Sequence, residues 1–345
     1  MFEKIDIKNL TLNELNALIL SFGKERYRST QILKWLYQKG VHSINEMTNL
    51  SKQFRHNLEE TTFISRLKIL KIEESIDGTK KFLFELQDKE RIESVLIPDK
   101  KRLTLCLSTQ VGCAMGCRFC LTGKIGLKRN LTLSEILNQI LMVKENLNNI
   151  NSITNIVMMG MGEPLNNYRN SLSAIEMMIH QEAFNFSSRK ITLSTVGLIP
   201  ELEKLAKEPI RFRLAISLNA SDDEIRSYLM PINKSHPLKE ILSICRNYPL
   251  RPRERITFEY VLIDGVNDSV ADAKRLVKLL KGIPSKINLI PLNEAPEIPF
   301  KRSREERIKQ FQEILLNQGL TAIIRTSKGK DISAACGQLQ GKFLT

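Results

Sequence analysis

The sequence predicts an α/β protein in which a partial (β/α)6 barrel follows a small helical N-terminal domain and a short β-rich connecting region. Three observations lead to this fold class. Strand-like and helix-like segments alternate six times after residue 103, residues 1 to about 60 have helical periodicity, and residues 66–98 have the shorter period of strands. Such alternation forms a parallel sheet with the helices outside. We expect domains at 1–62, 63–99 and 100–345.

The composition agrees with a large globular chain. The 345 residues are 42% apolar and 26% charged, with 52 basic and 38 acidic side chains and a net charge of +14. Such a surplus favours a polyanionic partner such as nucleic acid, although a basic surface kept for solubility is the simpler alternative. No apolar run approaches the length of a membrane span, and the N-terminus is charged from its first residues. We therefore expect a cytoplasmic protein.

The N-terminal domain contains three predicted helices. The first begins with a capping box formed by Thr11 and Glu14 and ends at Gly23. The second places Ile32, Trp35 and Leu36 on one face, and the third lies within SKQFRHNLEE. Basic residues in this domain could contact phosphates, or they could simply form a solvated face.

The next segments predict strands and then β-then-α units. RLKILKIEES, TKKFLFEL and RIESVLIP are typical of short strands separated by turns. The six barrel strands are predicted within RLTLCLST, NIVMMGMG, KITLSTVG, RFRLAISLNA, RITFEYVLIDGV and SKINLIPLN, each followed by a helical segment. Catalytic groups of parallel barrels collect at the C-terminal ends of strands. The residues predicted near those ends are Cys113, Gly162, Ser194, Ser217 and Asn293.

Three closely spaced cysteines indicate a metal centre. Cys113, Cys117 and Cys120 have the spacing C-x3-C-x2-C in a loop after the first barrel strand. A structural zinc site normally has four protein ligands, whereas the four histidines are scattered without a ligand-spaced pair. A 4Fe–4S cluster held by three thiolates leaves one iron for a substrate, and we favour it over zinc or inert cysteines.

This loop, in its position after the first strand, resembles that of the radical S-adenosylmethionine enzymes. The resemblance implies that Cys113, Cys117 and Cys120 bind the cluster and that the open iron chelates S-adenosylmethionine. MGMGEPL is similar to the element of this family that binds the methionyl amino group, with Gly162 and Glu163 at the matching positions. Glycine allows close approach of a ligand to the backbone, and a carboxylate suits an ammonium.

Further motifs narrow the resemblance to the RlmN/Cfr family. They occur in order along a match from about residue 26 to residue 340: STQVGCAMGCRFC, GKIGLKRNLT, VMMGMGEPL, ITLSTVG, AISLNA, MPIN, INLIPLN and DISAACGQL. The RlmN type methylates carbon 2 of an adenine in 23S ribosomal RNA and, in some bacteria, in tRNA. The related Cfr type methylates carbon 8. QVGCAM, EPL and INLIPLN resemble the carbon-2 type more closely.

The resemblance implies a mechanism through a methylated cysteine. Carbon 2 of adenine is electron-poor, so direct displacement on a methyl sulfonium should fail, whereas a thiolate accepts such a methyl group readily. By resemblance, Cys336 is that acceptor, and two molecules of S-adenosylmethionine are used per turnover. One methylates Cys336, and cleavage of the other produces a radical that activates the S-methyl group, which then joins the enzyme to the base.

Release of the joined adenine is expected to need a proton acceptor and a second sulfur. By resemblance, Cys106 forms a transient disulfide with Cys336, and Glu93 accepts a proton. Without the resemblance, Cys106 would be taken for a buried strand residue and Glu93 for an exposed strand carboxylate. The remaining cysteine, Cys245, lies on the apolar side of a predicted helix and is explained by packing.

The family match also implies contacts to S-adenosylmethionine at strand ends. Short polar side chains there can bond the ribose, carboxylate or adenine edge, although each could equally be a loop cap. The implied residues are Ser194, Ser217, Leu218, Asn219 and Asn293. Two positions depart from the family pattern, since Asn219 replaces the usual His and Leu121 replaces a common Ala. Asn retains a donor and an acceptor, so we expect binding to persist.

The predicted partners are 23S ribosomal RNA and tRNA, together with an electron donor such as flavodoxin or ferredoxin. We expect a monomer with no membrane partner. Basic residues near the site could position phosphates around a base that has left its stack, or form a solvated face; they are Lys124, Lys128, Arg129, Arg251, Arg253, Arg255, Arg325, Lys328 and Lys330. The competing hypothesis from another class is a non-enzymatic RNA-binding protein whose cysteines hold a structural metal.

Overall fold

The computed structural model describes residues 4–147 and 153–341, and its N-terminal part is helical as predicted. The capping box that begins the first helix is present, with the Glu14 N–H donating to Thr11 Oγ1 and the Thr11 N–H donating to the Glu14 carboxylate. A π-helical turn continues the second helix to Gly40. The elements of this part are β1 (Ile5–Asp6), α1 (Leu12–Ser21), α2 (Tyr27–Leu33), α3 (Lys52–Thr61) and β2 (Thr62–Phe63).

The three strands predicted in the connecting region are present and extend the barrel sheet. They are β3 (Lys68–Glu74), β4 (Lys80–Glu85) and β5 (Arg91–Asp99). Each pairs with the next in antiparallel fashion, and β5 pairs with β6 (Arg102–Cys106), the first strand of the barrel. The predicted boundary at residue 99 therefore falls inside one continuous sheet.

A small hairpin follows β6 in a region that we had predicted as loop. It consists of β7 (Gln110–Cys113), α4 (Leu121–Ile125) and β8 (Gly126–Asn130), and β7 pairs with β8. The strands approach so closely at Gly112 that a Cβ there would lie 1.8 Å from the Gly126 carbonyl oxygen. Only glycine fits this crossing, which fixes the path of the cysteine loop.

All six predicted β-then-α units are present. The remaining strands are β9 (Asn155–Met158), β10 (Ile191–Thr195), β11 (Arg213–Ser217), β12 (Ile256–Leu262), β13 (Ser285–Pro291) and β14 (Thr321–Ile324). The remaining helices are α5 (Leu133–Glu145), α6 (Tyr168–Ile179), α7 (Ile199–Lys207), α8 (Asp223–Leu229), α9 (Leu238–Arg246), α10 (Val270–Leu280) and α11 (Glu305–Asn317). The short helix α8 and the seventh parallel strand β14 were not predicted.

The ten-stranded sheet is open within the described residues. Its order is β14-β13-β12-β11-β10-β9-β6-β5-β4-β3, and the strands from β6 to β14 are parallel. The two faces of the sheet differ along β12: Ile256, Phe258 and Tyr260 are fully buried on one face, whereas Thr257 and Glu259 are buried polar residues on the other. Because these strands are parallel, their C-terminal ends share one edge, and the candidate site lies there.

The N-terminal part is joined to the barrel by a buried lysine. The Lys8 ammonium donates to Asn138 Oδ1 on α5 at 2.8 Å and to the Ser65 carbonyl at 3.0 Å. Burial lowers the pKa of Lys8 to about 8.

Among the described helices, none combines the length and apolarity needed to cross a membrane.

Candidate active site

The three predicted cluster ligands lie on one short loop of the hairpin. Cys113 ends β7, and Cys120 immediately precedes α4. Cys113 is buried, whereas Cys117 and Cys120 are half-buried. The Cys120 N–H donates to the Cys117 carbonyl at 3.1 Å, which turns the chain tightly between these two residues.

The thiols lie within electrostatic range of one another. Burial raises the pKa of Cys113 to about 12, and the charges of Glu163 and Cys120 act in the same direction. Burial also raises the pKa of Cys117, with further contributions from Cys120 and Cys113 and an opposing one from Arg226. Thiols whose ionised forms repel one another are suited to a metal centre, because the metal replaces their protons.

A single metal ion has no ready-made site among the residues that the structure describes. No three His, Cys, Asp or Glu side chains in 4–147 and 153–341 form a group that could hold one. In a 4Fe–4S cluster, by contrast, each thiolate binds a separate iron. The donor set of three thiols on one loop fits such a cluster.

Gly162 and Glu163 follow β9 at the predicted edge, and both are tightly packed. Burial raises the pKa of Glu163 to about 7, against hydrogen bonds that favour its ionised form. The Glu163 carboxylate accepts from the N–H groups of Val196 at 2.9 Å and Leu165 at 3.0 Å. Gly162 has a φ of +102°, and a Cβ there would meet Gln110 at 2.6–2.8 Å. Glycine is therefore required by a neighbouring side chain, a reason beyond the ligand approach that we predicted.

A buried arginine binds the loops that follow β10 and β11. Arg226 on α8 is fully buried, and burial lowers its pKa to about 10. Ser194 lies near the end of β10, and Ser217 ends β11. The guanidinium donates to five acceptors: the carbonyls of Val196 (2.6 Å), Ser217 (3.3 Å), Leu218 (3.1 Å) and His236 (3.1 Å), and Asn233 Oδ1 (2.7 Å).

The side chain of Asn219 is used within the fold. Its Oδ1 accepts from the Val261 N–H at 2.9 Å, and its Nδ2 lies 3.2 Å from Met230 Sδ. The backbone has a φ of 58°, a left-handed conformation that Asn and His adopt more readily than most residues. This conformation accounts for Asn at a position where the family usually has His. The backbone of Asn219 is also used within the fold, because its carbonyl accepts from Asn267 Nδ2 at 2.7 Å and its N–H donates to the Glu259 carbonyl at 3.3 Å.

Cys336 and Asn293 lie side by side. Asn293 Nδ2 donates to the Cys336 carbonyl at 3.1 Å, while Asn293 Oδ1 is buried without a hydrogen-bond partner. Cys336 is exposed, unlike Cys106 and Cys113, so its sulfur is accessible from outside the fold. Desolvation raises the pKa of this thiol, the charge of Glu259 adds to the effect, and Arg325 opposes it.

The segment around Cys336 is also tied to the hairpin that carries the three thiols. The Leu121 N–H donates to the Gly337 carbonyl at 2.7 Å, and Thr122 Oγ1 donates to the Leu339 carbonyl at 2.7 Å. Leu121, the departure noted in the sequence, is buried at the start of α4. The cysteine loop and the Cys336 segment therefore share hydrogen bonds within one site.

Glu93 is buried, which contradicts the alternative interpretation of this residue as an exposed strand carboxylate. It lies on β5, is 2% exposed, and its Oε2 accepts from the N–H groups of Gln340 at 2.7 Å and Gly341 at 3.0 Å. Its Oε1 lies 3.5 Å from the ammonium of the buried Lys81. Glu93 thus contacts the chain that follows Cys336.

Cys106 ends β6, as predicted, and is buried. Burial raises the pKa of its thiol, and the charge of Cys336 acts in the same direction, so the two sulfurs lie within electrostatic range. All six cysteines are unpaired in the structure, and the disulfide implied for Cys106 and Cys336 is therefore absent from this state. Cys245 is buried in α9, as its packing role predicts.

Several basic residues predicted to contact RNA have acidic partners. Lys128 binds Glu90 at 2.8 Å, and Arg129 binds Asp88 at 2.6 Å and Glu135 at 2.8 Å. An arginine held by two carboxylates is less available to a phosphate. Their assignment as RNA contacts is thereby weakened.

Two residues central to this geometry were missed in the sequence analysis. Arg226 lies on a short helix that we did not predict, and Lys81 lies in a strand among many other lysines. No local pattern separates a buried cation from a solvated one, because burial of a charged side chain depends on partners far along the chain.

The chain matches two family models. One is described as the radical SAM superfamily and covers residues 107–277. The other is described as the ribosomal RNA large subunit methyltransferase N-terminal domain and covers residues 5–64. The first covers most of the predicted barrel and its cysteine motif, and the second covers the predicted N-terminal helical domain.

Relatives that align over nearly the whole chain are identical to it at about half of the aligned positions. A dual-specificity RNA methyltransferase RlmN from Geotalea uraniireducens is 53% identical over 341 residues, 99% of this chain and 98% of that protein. The protein of the same name from Geobacter sulfurreducens is 53% identical over 98% of this chain and 93% of its own length. A crystal structure of a radical SAM methyltransferase from Sphaerobacter thermophilus superimposes with a TM-score of 0.90 at 43% identity, covering 98% of this chain and 100% of that one.

Proposed function

We propose that this chain, which belongs to the RlmN family of radical S-adenosylmethionine RNA methyltransferases, methylates carbon 2 of an adenine in 23S ribosomal RNA. We also propose that it methylates carbon 2 of an adenine in tRNA. It is an enzyme of the radical SAM fold that uses a 4Fe–4S cluster and S-adenosylmethionine. The residue roles below are part of the proposal.

The observation that carries the proposal is the set of hydrogen bonds around Cys336. Asn293 binds the Cys336 carbonyl, the hairpin of the three thiols binds Gly337 through Leu121, and Glu93 binds the chain a few residues beyond. These hydrogen bonds support the proposed roles of Cys336 as methyl acceptor, Glu93 as proton acceptor and the thiol loop as cluster site, since they join all three at one edge of the sheet.

The chain offers suitable groups for both cofactors. Cys113, Cys117 and Cys120 would hold the cluster, which when bound supplies the single electron that cleaves the sulfonium of S-adenosylmethionine. Asn293 Oδ1 is a buried acceptor without a partner, and such an atom is costly unless a ligand satisfies it. Backbone groups of Ser217 and Leu218, fixed by Arg226, would form another side of the same site.

Cys336 is the methyl acceptor in this scheme. Its raised pKa keeps the thiol protonated at rest, so attack on a methyl sulfonium requires loss of that proton, which the positive charge of Arg325 favours. Its accessible surface allows both S-adenosylmethionine and a base outside its stack to reach the sulfur.

Release of the methylated base uses Cys106 and Glu93. The Cys106 sulfur would attack the Cys336 sulfur, so that an S–S bond forms while the C–S bond to the base-linked carbon breaks; that carbon would take the Cys106 proton to become the methyl group, and the one electron left from the radical would pass to a one-electron acceptor such as the oxidised cluster. Glu93 takes the proton that leaves the adenine. The resulting disulfide must be reduced by an external donor before the next turnover, and flavodoxin or ferredoxin remains the predicted electron source. Monomeric state and cytoplasmic location likewise remain predictions.

Mass mapping of RNA from complemented deletion cells tests the proposal. Wild type and Cys245→Ala, which removes a buried thiol outside the site, should restore methylation at adenine carbon 2 in 23S RNA, whereas Cys336→Ala should not. Methylation at carbon 8 would indicate the Cfr type. Unchanged carbon-2 methylation in the deletion strain, or full activity of Cys336→Ala, would refute the assignment.

The second RNA substrate needs its own assay. Anaerobic holoenzyme supplied with reductant and S-adenosylmethionine should methylate both a 23S RNA fragment and an unmodified tRNA transcript. A product on the 23S fragment alone would restrict the proposal to ribosomal RNA.

A further inference from the structure

Lys81 is a buried cation that no role proposed so far uses. It lies on β4 and is only 2% exposed, although lysine is rarely buried without a partner. Its ammonium lies 3.0 Å from Glu73 Oε2 on β3 and 3.5 Å from Glu93 Oε1 on β5. It also donates to the Ile332 carbonyl at 2.7 Å. Lys81 therefore joins the proposed proton acceptor to the C-terminal segment.

The same pair of residues holds the Cys336 segment on both sides. Lys81 binds Ile332, which precedes Cys336, while Glu93 accepts from Gln340, which follows it. The two side chains that fix these positions come from neighbouring strands and face each other as an ion pair. Displacement of the ammonium would therefore disturb the carboxylate and the segment together.

We infer that Lys81 is a positioning residue, whose ammonium holds the Glu93 carboxylate and the Cys336 segment in the arrangement required for release of the methylated base. This inference rests on the proposed function of Glu93 and Cys336. The proton still passes from adenine to Glu93, and Lys81 itself neither gains nor loses one. Buried ion pairs are often no more stabilising than apolar side chains of similar size, so stability alone is a weak reason for a lysine here.

The neighbouring lysine provides a matched control. Lys80 precedes Lys81 on the same strand, is half-buried, and pairs with Glu74 at 3.1 Å. Successive strand residues point to opposite faces, so Lys80→Met removes an equal charge on the other side of the sheet. Lys81→Arg keeps the charge and provides a conservative variant.

The test follows a single turnover by anaerobic holoenzyme with reductant, S-adenosylmethionine and a 23S RNA fragment. We measure 5′-deoxyadenosine, methylated RNA, and the covalently joined enzyme–RNA species on a denaturing gel. Lys81→Met should form 5′-deoxyadenosine within about threefold of wild type but release methylated RNA about 10–100-fold more slowly, since small misplacements of catalytic groups have effects of this size. The joined species should accumulate, as it should in Glu93→Gln.

The controls separate positioning from a purely structural role. Lys80→Met should match wild type, and Lys81→Arg should recover most of the release rate. Because Lys81→Met leaves the buried Glu93 without its cation and could fail to fold, the double variant with Glu73→Gln also removes the half-buried carboxylate that faces this cation and repeats the test. Its thermal midpoint should lie closer to that of wild type, with release still slow.

Two different results would overturn the inference. In the first, Lys81→Met lowers every readout in parallel with its thermal midpoint and accumulates no joined species, whereas Glu93→Gln does accumulate it. Lys81 would then be structural only, and the proposed function would stand. If wild type forms no Cys336-dependent product and Glu93→Gln no joined species, the proposed function fails and the role of Lys81 fails with it.

Discussion

Replacement of Arg226 by methionine tests whether one buried guanidinium holds the strand-end loops of the site. The side chain is fully buried, and its five acceptors include the carbonyls of Val196, Ser217 and Leu218. Methionine fills much of the same volume but donates no hydrogen bond. The variant therefore leaves several buried acceptors without partners while keeping the packing.

The expected loss follows from two opposing contributions. A buried polar group left unpaired costs about 1–3 kcal/mol. Some of the five acceptors will relax toward other donors, so the total cost should lie at the lower end of the sum, at roughly 5–8 kcal/mol. Against this, burial lowers the pKa of Arg226 to about 10 from an ordinary 12.5, so about 3 kcal/mol of desolvation is recovered when the charge is removed. The net loss of unfolding free energy should be about 2–5 kcal/mol.

Urea unfolding of the wild type and of Arg226→Met measures this difference. Arg275→Met is the control, because Arg275 is exposed and pairs with Asp222 and the buried Asp272, whose carboxylate keeps its hydrogen bonds from Ser221 and Ser269; this variant should lose at most about 1 kcal/mol. The affinity for S-adenosylmethionine should fall about tenfold or more in Arg226→Met, since the loops that it fixes would move. If the two arginine variants lose equal stability, or if Arg226→Met gains stability, our account of the guanidinium is refuted.

Three further predictions concern single residues of the same region. Desolvation opposes ionisation of Asp77, but hydrogen bonds that include one from the Gly329 N–H outweigh it and lower its pKa to about 2. The stability that these bonds supply is complete above about pH 4 and is lost as pH falls toward 2. In urea unfolding, Asp77→Asn should therefore reduce the change in stability across that window by about 1 kcal/mol, after allowance for solvent screening. Gly162→Ala should cost about 2–4 kcal/mol in the same assay because its Cβ would clash with a glutamine. Gly282→Ala, at a φ of +81° with no atom within 4 Å of the added Cβ, should cost about 1 kcal/mol, and equal losses would contradict the crowding argument. Asn293→Leu should weaken binding of S-adenosylmethionine by about tenfold in equilibrium dialysis of the anaerobic holoenzyme, and an unchanged affinity would remove Asn293 from the site.

Local patterns were sufficient for most of the fold. The capping box at Thr11 and Glu14 is present where it was predicted, because it depends on residues three positions apart. All six β-then-α units were recognised from the change of hydrophobic period. The hairpin around the cysteine loop escaped, since β7 and β8 are short and bear polar residues that give no clear alternation.

Long-range contacts account for what the sequence could not reveal. The burial of Glu93 depends on Gln340 and Lys81, and the paired state of Arg129 depends on Asp88 and Glu135. Motifs indicated the residues that we propose carry the chemistry, since the thiols and Cys336 are recognisable by spacing and resemblance. The residues that position them were invisible because nothing in their own neighbourhood distinguishes them.

The contacts of the Cys336 segment also set an order of assembly during synthesis. The loop of three thiols closes through contacts within a hairpin of about twenty residues, whereas the bonds from Ser75 and Lys81 to the C-terminal segment span 256 and 251 residues. A chain that leaves the ribosome from its N-terminus completes the first long before the second has been translated. The three thiols proposed to hold the cluster are therefore on one hairpin before Cys336, the proposed methyl acceptor, has been translated, and the bonds that join the two segments form last.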